Sequence, residues 1–411
     1  MSADNMDEFS QTQHTPVDLP KGQQPVLLVF SDDSTLFFAR LMRDLLKSAA
    51  PDCPVAFCLY SDENTLSERQ ITTLLPEGPD LVLDRKGLHA VFENRNIRAI
   101  VTSRVYAPLR NALKDMDKAG QGRLRAGRPC LISFLGGLDF FPERGLRHRL
   151  VSDAVFVFPR PDIKLFKEIR RQSGGAGFWQ HVGFGHPAAL APKAPPADLH
   201  SRKDIYFFAQ AISPKSRAGR RHLLDALIAI AERNPERDVY IKLRHLPGEN
   251  AQHLHVEKYD YPSLLKKYSN VPPNLKLTAC VMQEALEKAA IAITCTSTAA
   301  LDAMSEGVPT MIYLDYVDNF LDPLNAPMRE VFKTSGAIVT LEELLFLKTR
   351  PVNPAWVADM FAERSLGADV LDAIEAFEGR EGQYDTQSDT LHDTEAEVSR
   401  GIGVEGQGER T

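Results

Sequence analysis

Lys242, Arg244 and His245 place three cationic or protonatable groups within four positions, at the end of the apolar run Val239–Leu243. Such a cluster suits a diphosphate or a departing nucleoside phosphate, with ammonium and guanidinium on the oxygens and an imidazole donating a proton or a hydrogen bond. The same types also suit a solvated loop beside a turn. A second phosphate-type segment is Thr294-Cys295-Thr296-Ser297-Thr298-Ala299-Ala300-Leu301-Asp302-Ala303. An apolar strand gives way to hydroxyls, then to small residues that open a helix. Free N–H groups at a helix start, joined by the hydroxyls of Thr296, Ser297 and Thr298, can hold a phosphate. The plainer reading is an N-cap by Ser297 or Thr298. Gln210 follows the run Ile205–Ala209, in a position where loops often touch phosphate or sugar. Lys215, Arg217, Arg220 and Arg221 make that loop basic, and a solvated helix start explains them equally well.

The acids are elsewhere. Asp32-Asp33 ends the apolar run Val26–Phe30. Adjacent carboxylates repel a phosphate, so this is a poor nucleotide loop. Asp33 is a candidate general base facing a sugar hydroxyl, and an N-cap for the next helix is the alternative. Asp139, in Leu135-Gly136-Gly137-Leu138-Asp139-Phe140, is the second candidate base, beside glycines that let backbone approach a ligand or simply make a tight turn. His253, His255 and Glu257 have a strand-like spacing but no clear fourth partner, so no metal is expected there. Residues 104–171 hold fifteen Lys or Arg against seven Asp or Glu. This stretch, with Arg144, Arg147 and Arg149, is either a solvated basic face or a surface for an anionic acceptor or an anionic membrane.

The elements that must position these residues alternate. Strands are expected at Val26–Phe30, Val55–Tyr60, Leu81–Leu83, Ala99–Thr102, Cys130–Phe134 and Ala154–Phe158, with helical stretches between them, including Leu36–Leu46 and Tyr106–Met116. The pattern breaks over 176–204, which is rich in Gly and Pro, and resumes from Ile205 with strands, a helix at Arg217–Arg233 and another at Ala299–Ser305. Alternation of this kind means an α/β fold built on parallel sheets. The expected organisation is a disordered tail (1–24), a first α/β domain (25–175), a linker (176–204), a second α/β domain (205–340), C-terminal helices (341–378) placed to fold back on the first domain, and a disordered acidic tail (379–411). Two Rossmann-like halves would face each other across a cleft.

Composition bounds the function. Of 411 residues, 43% are hydrophobic and 25% charged, as in ordinary globular domains. The net charge of −7 resides in the tails, and the body is near neutral, which excludes an overall nucleic-acid footprint. No apolar run reaches about 18 residues, and residues 1–24, lacking a basic and then an apolar region, are not expected to act as a secretory signal. Five scattered cysteines read as reduced core thiols of a cytoplasmic protein.

Two α/β halves, a Gly/Pro hinge and Lys242–His245 followed by Thr296–Thr298 and Gly307-Val308-Pro309 resemble a glycosyltransferase of the GT-B architecture. The second half is similar to that of bacterial capsule and surface-polysaccharide enzymes, the sialyl- and Kdo-transferases, with their His-Pro and paired-serine motifs. Asp32-Asp33 resembles their acidic pair, with Ser34 where glycine is usual; Leu246 separates His245 from Pro247, and Thr298 stands where a second serine is usual. The resemblance implies a CMP- or UDP-linked sugar donor held by Lys242, Arg244, His245, Thr296, Ser297, Thr298 and Gln210. His245 would assist the leaving group, and Asp33 or Asp139 would deprotonate a polysaccharide or glycolipid acceptor. It implies no metal ion. The Asp-x-Asp match Asp115-Met116-Asp117 falls in an expected helix end among lysines. A nucleotide-sugar epimerase-like enzyme, or a non-catalytic binding protein, would use the same cleft. Contact with the inner membrane through the basic stretch fits the same picture.

Overall fold

The central apolar runs become strands covered on both faces. All five residues of β1 (Val26–Phe30) are buried, the continuous pattern that a parallel sheet between helical layers demands. The computed structural model describes residues 24–118, 127–173, 179–246, 257–316 and 325–380. The tails expected to be disordered lie outside these residues, apart from Gln24, Gly379 and Arg380, as do Gly174–Gly177 and the histidines 253 and 255.

The first sheet contains β1, β2 (Val55–Tyr60), β3 (Leu81–Leu83), β4 (Ala99–Thr102), β5 (Cys130–Phe134), β6 (Ala154–Val157) and β7 (His181–Phe184). Its order is β3-β2-β1-β4-β5-β6-β7, with parallel pairing throughout. The second sheet contains β8 (Asp204–Phe208), β9 (Val239–Lys242), β10 (Leu275–Thr278), β11 (Ala289–Thr294), β12 (Thr310–Tyr313) and β13 (Ile338–Val339). Its order, β10-β9-β8-β11-β12-β13, repeats the same winding. Both are doubly wound Rossmann-like sheets. Strand order reverses between β1 and β4, and again between β8 and β11, which opens a crevice at the carboxyl ends of those strands.

Two strands were not expected. β7 lies inside the stretch read as linker, because His181–Phe184 carries a glycine and is only half-buried. It nevertheless pairs with β6 and extends the first sheet. β13 has two residues, too short for any periodicity to show. The first helix is longer than expected, Asp33–Ala49, while Arg217–Arg233 and Ala299–Ser305 have the expected bounds. Gly307 ends the latter helix at φ +71°, where a side chain would meet the Lys193 and Ala194 carbonyls at 2.9 Å.

The chain's end does return to the first domain. Leu366, Val370, Ala373, Ile374 and Phe377, on a helix over 366–380, join the core of β1, β4 and β5. Arg98 grips Glu378 at 2.8 and 2.9 Å. The halves also share apolar packing: Leu135, Phe158 and Phe166 meet Ala300, Met304 and Ile312.

The basic stretch is less basic outside than its composition implies. Arg128 is buried and makes paired bonds of 2.8 and 2.6 Å to Asp153, which also accepts the Leu131 N–H. Its guanidinium lies 4.8 Å from the Phe377 ring centre. Arg149 is buried too, donating to the carbonyls of Phe134, Gly145 and Ser103. Breaking a buried ion pair strands its partner. Arg128→Met should therefore cost about 3–5 kcal/mol in urea unfolding, whereas Arg144→Met, at an exposed position, should change stability by no more than about 0.5 kcal/mol.

Candidate active site

Folding brings the carboxyl ends of both sheets to a cavity of about 580 Å³ between the halves. One wall carries Asp33, Ser34, Gly136, Gly137 and Asp139; the other carries Gln210, Lys242, Arg244 and Thr296–Thr298. Eight of the nine candidate site residues are thus gathered from five loops. The exception is His245, which is 4% exposed, lies within 3.1 Å of the Leu246 carbonyl through Nδ1, and does not line the cavity. The backbone turns after Arg244, so neighbouring side chains leave the strand end in different directions. Arg244 reaches the cleft, and His245 is buried away from it.

Asp32 and Asp33 part ways at the first helix. Asp32 is its N-cap, accepting the Thr35 N–H at 2.8 Å in a reciprocal capping box. Asp33, one residue on, points across the cleft. Arg244 donates to both of its oxygens, Nε at 2.9 Å and Nη2 at 2.8 Å. Burial works against the Arg244 charge, but Asp33 outweighs it and holds the guanidinium above its ordinary pKa. Asp139 sits beyond β5, with Oδ1 accepting the Phe141 N–H at 3.0 Å. Gly137 has φ +148°, and a side chain there would come within 3.0 Å of the Thr298 methyl. The two halves nearly touch at this point, and only glycine permits the approach.

The opposite wall rests on Arg220, read from the sequence as part of a basic loop. It is fully buried, pairs with Glu257, and donates to the carbonyls of Pro214, Gln210 and Ala211. This fixes Gln210, whose Oε1 accepts from the Thr296 N–H at 2.7 Å and from its hydroxyl at 3.0 Å. Gln210 and Thr296 hold one another in place. Ser297 Oγ accepts the Ala299 N–H at 3.1 Å, and Thr298, at the N-cap position, makes no capping bond through its side chain. Both hydroxyl positions line the cavity.

Two features of this site were missed or misplaced, Asp302 and Cys280. Asp302 lines the cavity and is held there by the two-turn helix Ala299–Ser305. Burial, then Glu306, push its pKa up to about 8, against the pull of Lys242. A lone carboxylate in an otherwise apolar short helix was the available signal. Lys242 is itself shifted down, by burial first, with Cys280, Asp33 and Asp302 opposing. Cys280, expected in the core, also lines the cavity, while the other four cysteines are buried. Asp115 and Asp117 lie on the exposed face of the helix Ala107–Lys118. Glu257 is committed to Arg220, and no group of metal-binding side chains occurs among the described residues.

The Asp302 carboxyl has a testable consequence. An unfolded chain releases this proton near pH 4, whereas the folded chain keeps it to about pH 8. Its contribution to stability is complete below the lower value and is lost as pH rises through the upper one. Denaturant titrations should therefore show a fall in stability across this window that is shallower in Asp302→Asn. Equal slopes would place the proton elsewhere.

Comparison with known proteins gives the fold and the family. UDP-GlcNAc 2-epimerase from Methanocaldococcus jannaschii has a TM-score of 0.53 at 11% identity, covering 86% of this chain and 99% of that one. The same enzyme in complex with UDP-GlcNAc and UDP scores 0.53 at 11% identity over 85% and 99%. A Listeria monocytogenes structure described as "putative UDP-N-acetylglucosamine 2-epimerase" scores 0.52 at 12% identity over 86% and 96%. At these identities the likeness establishes the fold alone, two Rossmann-like domains arranged as in GT-B enzymes. No curated protein matches the chain. Over residues 26–377, however, the chain matches one family model, and it belongs to that family, described as "Putative glycosyltransferase (DUF6716)".

Proposed function

We propose that this chain moves a sugar from a UDP-linked donor to a hydroxyl of a surface-polysaccharide or glycolipid acceptor, without a metal ion. The observation that carries the reading is the convergence of Lys242, Arg244, Ser297 and Thr298 on one wall of a cleft whose other wall presents Asp33 and Asp139. Cations and hydroxyls on one side suit a diphosphate, and carboxylates on the other suit an acceptor proton. The choice of UDP over CMP is supported by the structural neighbour solved with UDP-GlcNAc and UDP.

In this account the donor diphosphate takes Arg244 from Asp33, with Lys242 beside it. Two cations supply the neutralisation of leaving-group charge that a divalent ion supplies elsewhere. The Ser297 and Thr298 hydroxyls donate to phosphate oxygens. The bond from the anomeric carbon to phosphate oxygen breaks, the acceptor oxygen bonds to that carbon, and the acceptor proton passes to Asp33, released from its ion pair, or to Asp139. Gln210, Thr296 and Arg220 position the wall. His245, buried behind Arg244, takes no part in proton transfer.

An epimerase-like reaction is the second reading, favoured by the identity of the structural neighbours. Calorimetry with UDP-, CMP-, GDP- and ADP-sugars, followed by product analysis with and without a saccharide acceptor, separates the two. Binding of a UDP-sugar and product only with acceptor are expected, with turnover unchanged by EDTA. Of Asp33→Asn and Asp139→Asn, the variant lacking the base should lose about a hundredfold or more in kcat and still bind nucleotide. Product from the donor alone would favour the epimerase, and no binding of any nucleotide sugar would overturn both readings.

A further inference from the structure

A second cavity, of about 430 Å³, lies in the first domain at the carboxyl ends of β1 and β4. It shares Ser34 and Gly136 with the main cleft, so a molecule in it is adjacent to Asp33. Its charged lining is Asp32, Glu63, Arg104, Arg110, His148 and Arg149. One cation serves both acids: Arg104 lies 3.6 Å from Asp32 and 2.6 Å from Glu63. Asp32 is further occupied as a helix cap. Against these two carboxylates the walls carry three guanidinium groups, Arg104, Arg110 and Arg149, a surplus of one positive charge.

Arg149 satisfies its donors on three carbonyls, and the opposite charge that acts on it is that of Asp139, outside this cavity. Although burial lowers its pKa to about 10, it stays protonated at neutral pH. Arg110 differs. Its Nε is buried and makes no hydrogen bond. A buried donor left unmade is costly, and the cost is greater for a charged group. The field in the pocket is visible at His148, whose pKa is lowered by desolvation and then by Arg110, Arg144 and Arg149. A cavity with surplus cationic charge and an unmade guanidinium donor is shaped for an anion.

We propose that this cavity is a subsite for an anionic group of the acceptor, a phosphate monoester or carboxylate carried on a sugar, with Arg110 as its principal partner. The anchored group would leave a neighbouring hydroxyl to pass the Ser34 wall into the main cleft. The inference rests on the transfer reading, in which Asp33 or Asp139 meets an acceptor hydroxyl.

The test is calorimetry on the full chain, with UDP present, against glucose 6-phosphate, glucuronate and glucose. The charged sugars should bind at least about tenfold tighter than glucose, the value of one charge-assisted hydrogen bond. Arg110→Gln should abolish that preference and Arg110→Lys should restore part of it, both with UDP affinity and melting temperature unchanged. Sedimentation with phosphatidylcholine vesicles, with and without phosphatidic acid, identifies the source. Adsorption that requires both phosphatidic acid and Arg110 assigns the anion to a lipid-borne acceptor, and sugar binding without adsorption assigns it to a soluble saccharide. Equal affinity for charged and neutral sugars, or a preference that survives in Arg110→Gln, would overturn the inference. Failure of UDP itself to bind would count against the transfer reading instead, while the charge preference still decides this one.

Discussion

The paired bonds between Arg244 and Asp33 are the contact on which the arrangement of the site depends. They join the loop after β9 to the start of the first helix, and so connect the wall of cations to the wall of carboxylates. The two side chains are part-buried, at 31% and 18% exposure, so the attraction between them is largely offset by their desolvation and the pair adds little to stability. Its importance is positional. A guanidinium that binds carboxylate in a bidentate fork has the same geometry for phosphate, so the ion pair occupies a phosphate-competent cation while no donor is present. Exchange of one anion for the other would couple donor arrival to the freeing of a base.

Around that contact, burial determines how much charge each group carries. Arg220 and Arg128 are deep inside and committed to Glu257 and Asp153, where they organise a loop and dock the terminal helix. Asp302 is deep and holds its proton, so the cavity floor has less negative charge at neutral pH than its residue types indicate. Lys242 is held below its ordinary pKa by the same desolvation. An incoming diphosphate would reverse that shift by supplying opposite charge. The close approach of Gly137 to Thr298 keeps the two walls within reach of one ligand.

Much of this was legible in the sequence because fully buried parallel strands read as continuous apolar runs. Five of the first six strands fall where such runs predict them, and the sixth differs by one residue at its end. Most of the candidate site residues were also legible, since doubly wound sheets place strand-end loops together whatever their sequences. Three things were not. Strand β7 carries a glycine and half-exposed positions, so it resembles the linker around it. The direction of a side chain just past a strand depends on backbone turns that periodicity does not record, which is why Arg244 reaches the cleft and His245 does not. Whether an arginine is surface or core also escapes composition. Arg128, Arg149 and Arg220 look like members of a basic face, yet each is buried because a specific carboxylate or set of carbonyls receives it.

The central claim is that donor phosphate and Asp33 compete for Arg244. The most direct measurement is the affinity of UDP for the parent protein and for Asp33→Asn and Arg244→Gln, by calorimetry at low ionic strength. Competition predicts that UDP binds Asp33→Asn more tightly than the parent and Arg244→Gln more weakly. UDP affinity that falls in Asp33→Asn, or is indifferent to Arg244, would contradict the account.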